Sequence, residues 1–141
     1  MSQLLDTIAV RGEGFWLLLG RVAMGSLFLP TGLRKLLDPA AFARQLDSYG
    51  MIQPLYVWAV VAAVVEFFGA FAVVIGLQTR LAALLMVLFS IAAAFLGHQF
   101  WALEGKDYLA QRINFWKDLA IAGGFLILFV RGAGPFSFDR R

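Results

Sequence analysis

Residues 55–77 read LYVWAVVAAVVEFFGAFAVVIGL, twenty-three positions that hold one acidic or basic side chain, Glu66. A bilayer core needs ~20 apolar residues in a helix, and a chain in hydrocarbon must satisfy its own backbone N–H and C=O groups. The run lacks the polar–apolar alternation of a barrel strand, so it reads as a membrane-spanning helix. Three further runs, at 15–33, 81–103 and 113–130, have the same character. The expected fold is all-α: an integral membrane four-helix bundle, one four-span unit over residues 1–141.

Composition agrees. The chain is 61% hydrophobic and 15% charged, with a mean hydropathy of +0.79, whereas soluble domains are about half apolar and a quarter charged. Its formal charge of +3 comes from Lys and Arg scattered singly between apolar runs, which points to a membrane surface and away from nucleic acid. No cysteine is present, which excludes thiol nucleophiles, disulfide exchange with a quinone and Cys-ligated clusters. The single histidine speaks against a dedicated metal site and excludes a bis-His haem within one chain. No small-x-small cleavage site follows the first apolar run, so it is expected to remain as a span.

Between the first two spans, Asp38 suits a helix N-cap, Pro39 the first helical position and Gly50 the stop. A short helix over 38–50 follows, with Phe42, Leu46 and Tyr49 on one side, expected to lie in the membrane interface. Only Gln78-Thr79-Arg80 separates the second and third spans, which makes those helices antiparallel neighbours. The third loop, 104–112, is polar and long enough for a turn or short helix. Arg11, Arg80, Arg131, Arg140 and Arg141 fall on the face of the N-terminus. Arg34, Lys35, Arg44, Lys106 and Arg112, with Lys117 close by, fall on the other, a balance that gives no orientation.

Ionisable groups inside a span cost ~2.5 kcal/mol or more and therefore turn inward and seek partners. Arg21 lies twelve residues from the end of the first span and Glu66 eleven from the start of the second. At ~1.5 Å per residue both fall roughly 16 to 18 Å from one face. Arg21, Gly25, Phe28, Gly32 and Lys35 form one helical stripe, and Ala59, Ala62, Glu66, Gly69, Val73 and Gly76 another. Small residues let helix backbones approach closely in lipid, so an intramembrane ion pair between Arg21 and Glu66 is expected. It reads first as a structural bolt; the alternative is that Glu66 moves a proton or anchors a ligand.

A second polar group gathers toward the opposite face: His98, Asn114, Lys117, Asp118 and Lys35, with Trp58, Trp101 and Trp116 at that level. Interfacial belts explain single tryptophans. Cations and an amide beside aromatic walls also resemble a small-ligand pocket. His98, Lys117, Asn114, Lys35, Trp101 and Trp116 are therefore the candidate ligand-binding residues, with no catalytic residue assigned.

Together these residues resemble the DoxX family of membrane proteins. The resemblance rests on Arg21, Gly25, Phe28, Gly32 and Lys35; on Glu66, Gly69, Gly76 and Thr79-Arg80; on His98; and on Asn114, Lys117, Gly123-Gly124 and Gly132-x-Gly134. It implies a four-helix membrane bundle, in the inner membrane of a bacterium. Some relatives are the membrane part of a thiosulfate:quinone oxidoreductase, others are linked to oxidative-stress complexes, and many have no assigned activity. The expected role is a small membrane subunit associated with an oxidoreductase, the cofactor carried by a partner and a quinone as candidate ligand. His98 and Lys117 would donate hydrogen bonds to a quinone carbonyl. The rival reading is a non-catalytic scaffold, assembly factor or lipid-interacting protein. A transporter comes last, because four spans leave little room for alternating access. Expected partners are membrane lipid and other subunits or further copies of the chain, and no nucleic acid.

Overall fold

The computed structural model describes residues 1–139; Arg140 and Arg141, counted above with the N-terminal face, lie outside the described residues. The helices are α1 (Ser2–Arg11), α2 (Glu13–Leu37), α3 (Pro39–Ser48), α4 (Leu55–Ile75), α5 (Thr79–Gly97) and α6 (Gly105–Arg131), with a 3-10 turn at Phe100–Ala102. Four helices are long and apolar enough to cross a membrane: α2, α4, α5 with the turn that follows it, and α6. Within their most apolar stretches only 22% to 33% of positions are buried inside the bundle, so the remaining apolar side chains face lipid.

Several boundaries differ from the sequence reading, among them that of the third span, whose α-helix ends at Gly97 and not at 103. The chain before the first span is itself helical, as α1. The polar stretch 104–112 forms the first turns of α6, rather than a separate turn. Most consequential, α2 runs past residue 33 to Leu37. Pro30 lies inside α2 without ending it, as membrane helices tolerate where hydroxyls and neighbouring helices re-satisfy the backbone.

The short helix α3 forms where its signals place it. The Asp38 carboxylate accepts from Ala41 N at 2.9 Å, and Pro39 occupies the first helical position. Its apolar side does more than meet an interface: Phe42 and Leu46 are buried against Leu55 and Ala59 in the first turns of α4. The main core lies further along the bundle, where Phe28, Met86 and Phe125 pack with Ala70, Ala83 and Ala122.

α2 and α4 are antiparallel and close. A Cβ on Gly32 would stand 2.8 Å from Phe67 N, and one on Gly25 would stand 3.2 Å from Ala70 O. The two small-residue stripes thus face each other as expected, but their register overturns the Arg21–Glu66 pair. Gly32 lies opposite Phe67, which brings Lys35 and Thr31 to Glu66 and carries Arg21 to the far end of α4. Glu66 Oε2 pairs with Lys35 Nζ at 2.5 Å, and Thr31 Oγ1 donates to Oε1 at 2.5 Å. Arg21, 1% exposed, donates instead to Val74 O at 3.2 Å, Val73 O at 3.5 Å and Phe136 O. Counting depth from residue 33 misplaced Arg21 for two reasons: α2 runs four residues further, to Leu37, and its end is level with a point about two turns inside α4 instead of with Leu55, since Gly32 faces Phe67.

The carbonyls at the end of α4 are helix-end acceptors, and a cation is favoured beside them. Arg21 serves that end, and the C-terminal segment closes over it. Phe138 N donates to Ile75 O at 3.2 Å and Asp139 N to Gly76 O at 2.9 Å. The Asp139 carboxylate accepts from Gln78 N and Thr79 N, both at 2.8 Å, and so caps α5. Gly76 has φ +71°, and a side chain there would strike Arg21 and Ser137.

Three outcomes follow for thermal stability in detergent. Lys35→Ala alone should destabilise by about 3–5 kcal/mol, because it strands the Glu66 carboxylate, whereas replacing both partners by apolar residues should cost less. Arg21 and Glu66 substitutions should combine additively; a coupling between them would contradict the register described. Phe42→Ala or Leu46→Ala should cost about 2–5 kcal/mol through lost packing on α4. A loss no larger than that from Arg44→Ala would mean that α3 only rests on the membrane surface.

Candidate functional site

Glu66 is 2% exposed, deep on α4 at a level where every span contributes polarity. α2 supplies Lys35 and Thr31. The ammonium of Lys35 lies against Glu66 and 4.6 Å and 5.7 Å from the ring centres of Phe42 and Phe89, so aromatic faces replace part of its hydration. α5 ends at Gly97, and His98, with φ −127°, leaves the helix and turns toward α6. Its Nδ1 lies 2.6 Å from Gln111 Oε1 and its Nε2 3.4 Å from Asp118 Oδ2. Either tautomer, or the imidazolium, finds an acceptor for each ring N–H in this setting. Asp118 lies within electrostatic reach of His98, Lys117, Lys35 and Glu66, which joins the Lys35–Glu66 and His98–Asp118 contacts into one polar group.

Against this group opens a cavity of about 550 Å³ between α3, α4 and α5. Lys35, Gln45, Tyr49 and His98 supply its polar lining. The rest of its lining is apolar and includes Phe42, Leu46, Trp58, Ala62, Leu85, Leu88, Phe89, Ala93 and Leu96. Trp58, Leu85 and Leu88 are themselves exposed on the outer surface of the spans, so the cavity opens sideways toward lipid. Gln45 Nε2 donates to the Tyr49 hydroxyl at 2.5 Å, leaving the phenol free to donate its own hydrogen. A recess of this size, apolar with a few convergent donors, has the form of small-ligand sites.

Of the six candidate binding residues, the structure brings Lys35 and His98 to the cavity wall. Asn114 and Lys117 do not line it; Lys117 Nζ donates to Asn114 Oδ1 at 2.9 Å, on the outer side of α6. Trp101 and Trp116 flank Phe115 with ring centres at 6.0 Å and 5.4 Å. They are 55% and 57% exposed, in the manner of an interfacial belt. The expected convergence of all six on one cavity is thus not the arrangement found. Glu66, Thr31, Tyr49, Gln45, Gln111 and Trp58 are the participants that sequence reasoning left out or placed elsewhere. Tyr49 shared the apolar stripe of α3, and Thr31 stands one turn before Lys35, signals that would have sufficed. No sequence signal tied Gln111 to His98.

With the geometry in hand, similarity to known proteins becomes informative. The DoxX family model matches residues 16–99, which include α3, α4 and α5 and both ends of the Lys35–Glu66 pair. The inner membrane protein YphA of Escherichia coli K12 is 34% identical over 125 residues, 89% of each chain. The inner membrane protein YqjF of the same organism is 34% identical over 128 residues, 91% of this chain and 92% of its own. No solved structure matches the chain. Family match, full-length relatives and four spans lead to one conclusion: this chain belongs to the DoxX family and is an integral protein of the bacterial inner membrane.

Proposed function

We propose that the chain binds a lipophilic molecule with a hydrogen-bond-accepting head, a quinone being the fitting chemistry, as the membrane subunit of an oxidoreductase. The lateral cavity between α3, α4 and α5 carries this reading. A flat, two-carbonyl head fits among Phe42, Trp58 and Phe89 and receives hydrogen bonds from Lys35, Tyr49 or His98, while an isoprenoid tail leaves toward lipid beside Leu85 and Leu88. Such donors stabilise the negative charge that reduction places on a carbonyl oxygen. The chain has no cysteine and, among the described residues, no cluster suited to a metal ion. In this reading the electron donor belongs to a partner.

A second reading is favoured by one observation: each basic side chain facing the cavity has a carboxylate, Glu66 for Lys35 and Asp118 for His98. Groups that satisfy each other serve a scaffold as well as a binding site.

The two readings part on binding. A short-chain ubiquinone analogue added to the purified chain in mild detergent should quench tryptophan fluorescence, and Trp58→Phe should remove most of that quench. Tyr49→Phe and His98→Ala should each weaken binding about five- to tenfold, the equivalent of one ordinary hydrogen bond. Asn114→Ala and Lys117→Ala, which lie off the cavity, should bind as the parent does. No saturable quench, or equal affinity in all variants, would leave the scaffold reading.

A further inference from the structure

Ser90 of α5 is 1% exposed, and its Oγ has no hydrogen-bond partner among the described residues. Two contacts fix its level. Gly69 of α4 faces Met86 of α5, so one turn onward in α5 and one turn back in antiparallel α4 brings Ser90 beside Glu66. Its neighbour Phe89 has its ring 5.7 Å from Lys35 Nζ, which sets Ser90 at the same depth. Met86, Ser90 and Ala94 form the buried stripe of α5. Phe115, Ala122 and Phe125 form that of α6, with Asp118 in the same phase. Ser90 is therefore placed inside the bundle at the level of Glu66 and on the side of α5 that meets the phase of Asp118.

An unsatisfied buried hydroxyl forfeits about 1–3 kcal/mol. Buried waters typically answer such groups, each making about three hydrogen bonds. Glu66 and Asp118 retain carboxylate lone pairs beyond their present partners.

We propose that Ser90, Glu66 and Asp118 hold an internal water through which protons pass between Glu66 and the Asp118–His98 pair, and so between the bundle interior and the face that carries residues 98–104. In one passage the water accepts a proton from the Asp118 carboxyl and gives another to the Glu66 carboxylate; no electron moves and the water is restored. Asp118 is reloaded by His98, whose second ring nitrogen meets Gln111. The titratable and charged groups around the path are Lys35 of α2, Tyr49 just after α3, Glu66 of α4, His98 after α5 and Asp118 of α6, with Lys117 on the outer side of α6 within electrostatic reach of Asp118. This activity stands without the ligand reading. Where a quinone oxygen occupies the cavity beside Lys35, the same path delivers its proton.

The test is time-resolved infrared spectroscopy of the purified chain in detergent after an acid step. The carboxyl C=O band of Glu66 is identified by its loss in Glu66→Gln. In the parent that band should rise well before the buried backbone amides exchange. Ser90→Ala, which removes one unpartnered oxygen, and Asp118→Asn should each slow the rise by about tenfold or more, with circular dichroism unchanged. Parent-like rates in both variants, or a parent band that rises only as fast as amide exchange, would overturn the proposal. No quinone enters the experiment, so a failure of ligand binding leaves its outcome intact.

Discussion

The close contact of α2 with α4 sets the partners of Arg21, Lys35 and Glu66, the buried and half-buried charges of those two spans. Lipid supplies no hydrophobic drive between helices, so close backbone approach through small residues must provide attraction and specificity. At Gly32 that approach is limiting: a Cβ would stand 2.9 Å from Phe67 Cα, contact with the backbone that a side-chain rotation cannot relieve. Once Gly32 lies opposite Phe67, Lys35 and Thr31 must fall on Glu66, and Arg21 must fall on the end of α4.

The same register divides the polar chemistry of the bundle into two kinds. At one end, Arg21 and Asp139 answer backbone groups left over by helix termini, the carbonyls of α4 and the N–H groups of α5. These groups close the fold. At the other end, Lys35, Glu66, His98 and Asp118 answer one another as side chains, beside a cavity and within reach of the surface. A buried ion pair is weak support for stability. Its charges are also the ones able to change partner or protonation state, so chemistry is better sought at this end.

Much of this was legible in the sequence. Spans follow from length and apolarity, and α3 follows from Asp38, Pro39 and its apolar stripe. The glycine stripes were readable as packing faces. Their register was not, because depth had to be counted from a span end, and Arg34 and Lys35 look like an interfacial terminus although α2 continues through them. A four-residue error in one boundary, added to the assumption that α2 and α4 end flush, moved Arg21 from Glu66 to the level of Val73 and Val74, about two turns along α4, and exchanged the partner of a buried carboxylate. The cavity was illegible for another reason. Its walls are Leu, Ala and Val on three helices, and no local pattern distinguishes an apolar side chain that lines a recess from one that fills a core or faces lipid.

A recess of this kind bears on how a small DoxX-family protein would admit a molecule from the membrane. α3 is what makes the recess. By burying Phe42 and Leu46 against Leu55 and Ala59, it stands beside α4 as a partial fifth wall and leaves a gap between itself and α5 instead of a closed seam. Four spans alone would pack to a solid core, as they do around Met86 and Phe125. The added helix converts one end of the bundle into a pocket whose mouth is lipid and whose floor is charged. A molecule dissolved in the membrane would reach that floor without crossing water, and under the proposed relay protons would reach it through polar side chains. That separation of routes is the arrangement a membrane subunit needs to join a lipophilic carrier to an aqueous proton supply.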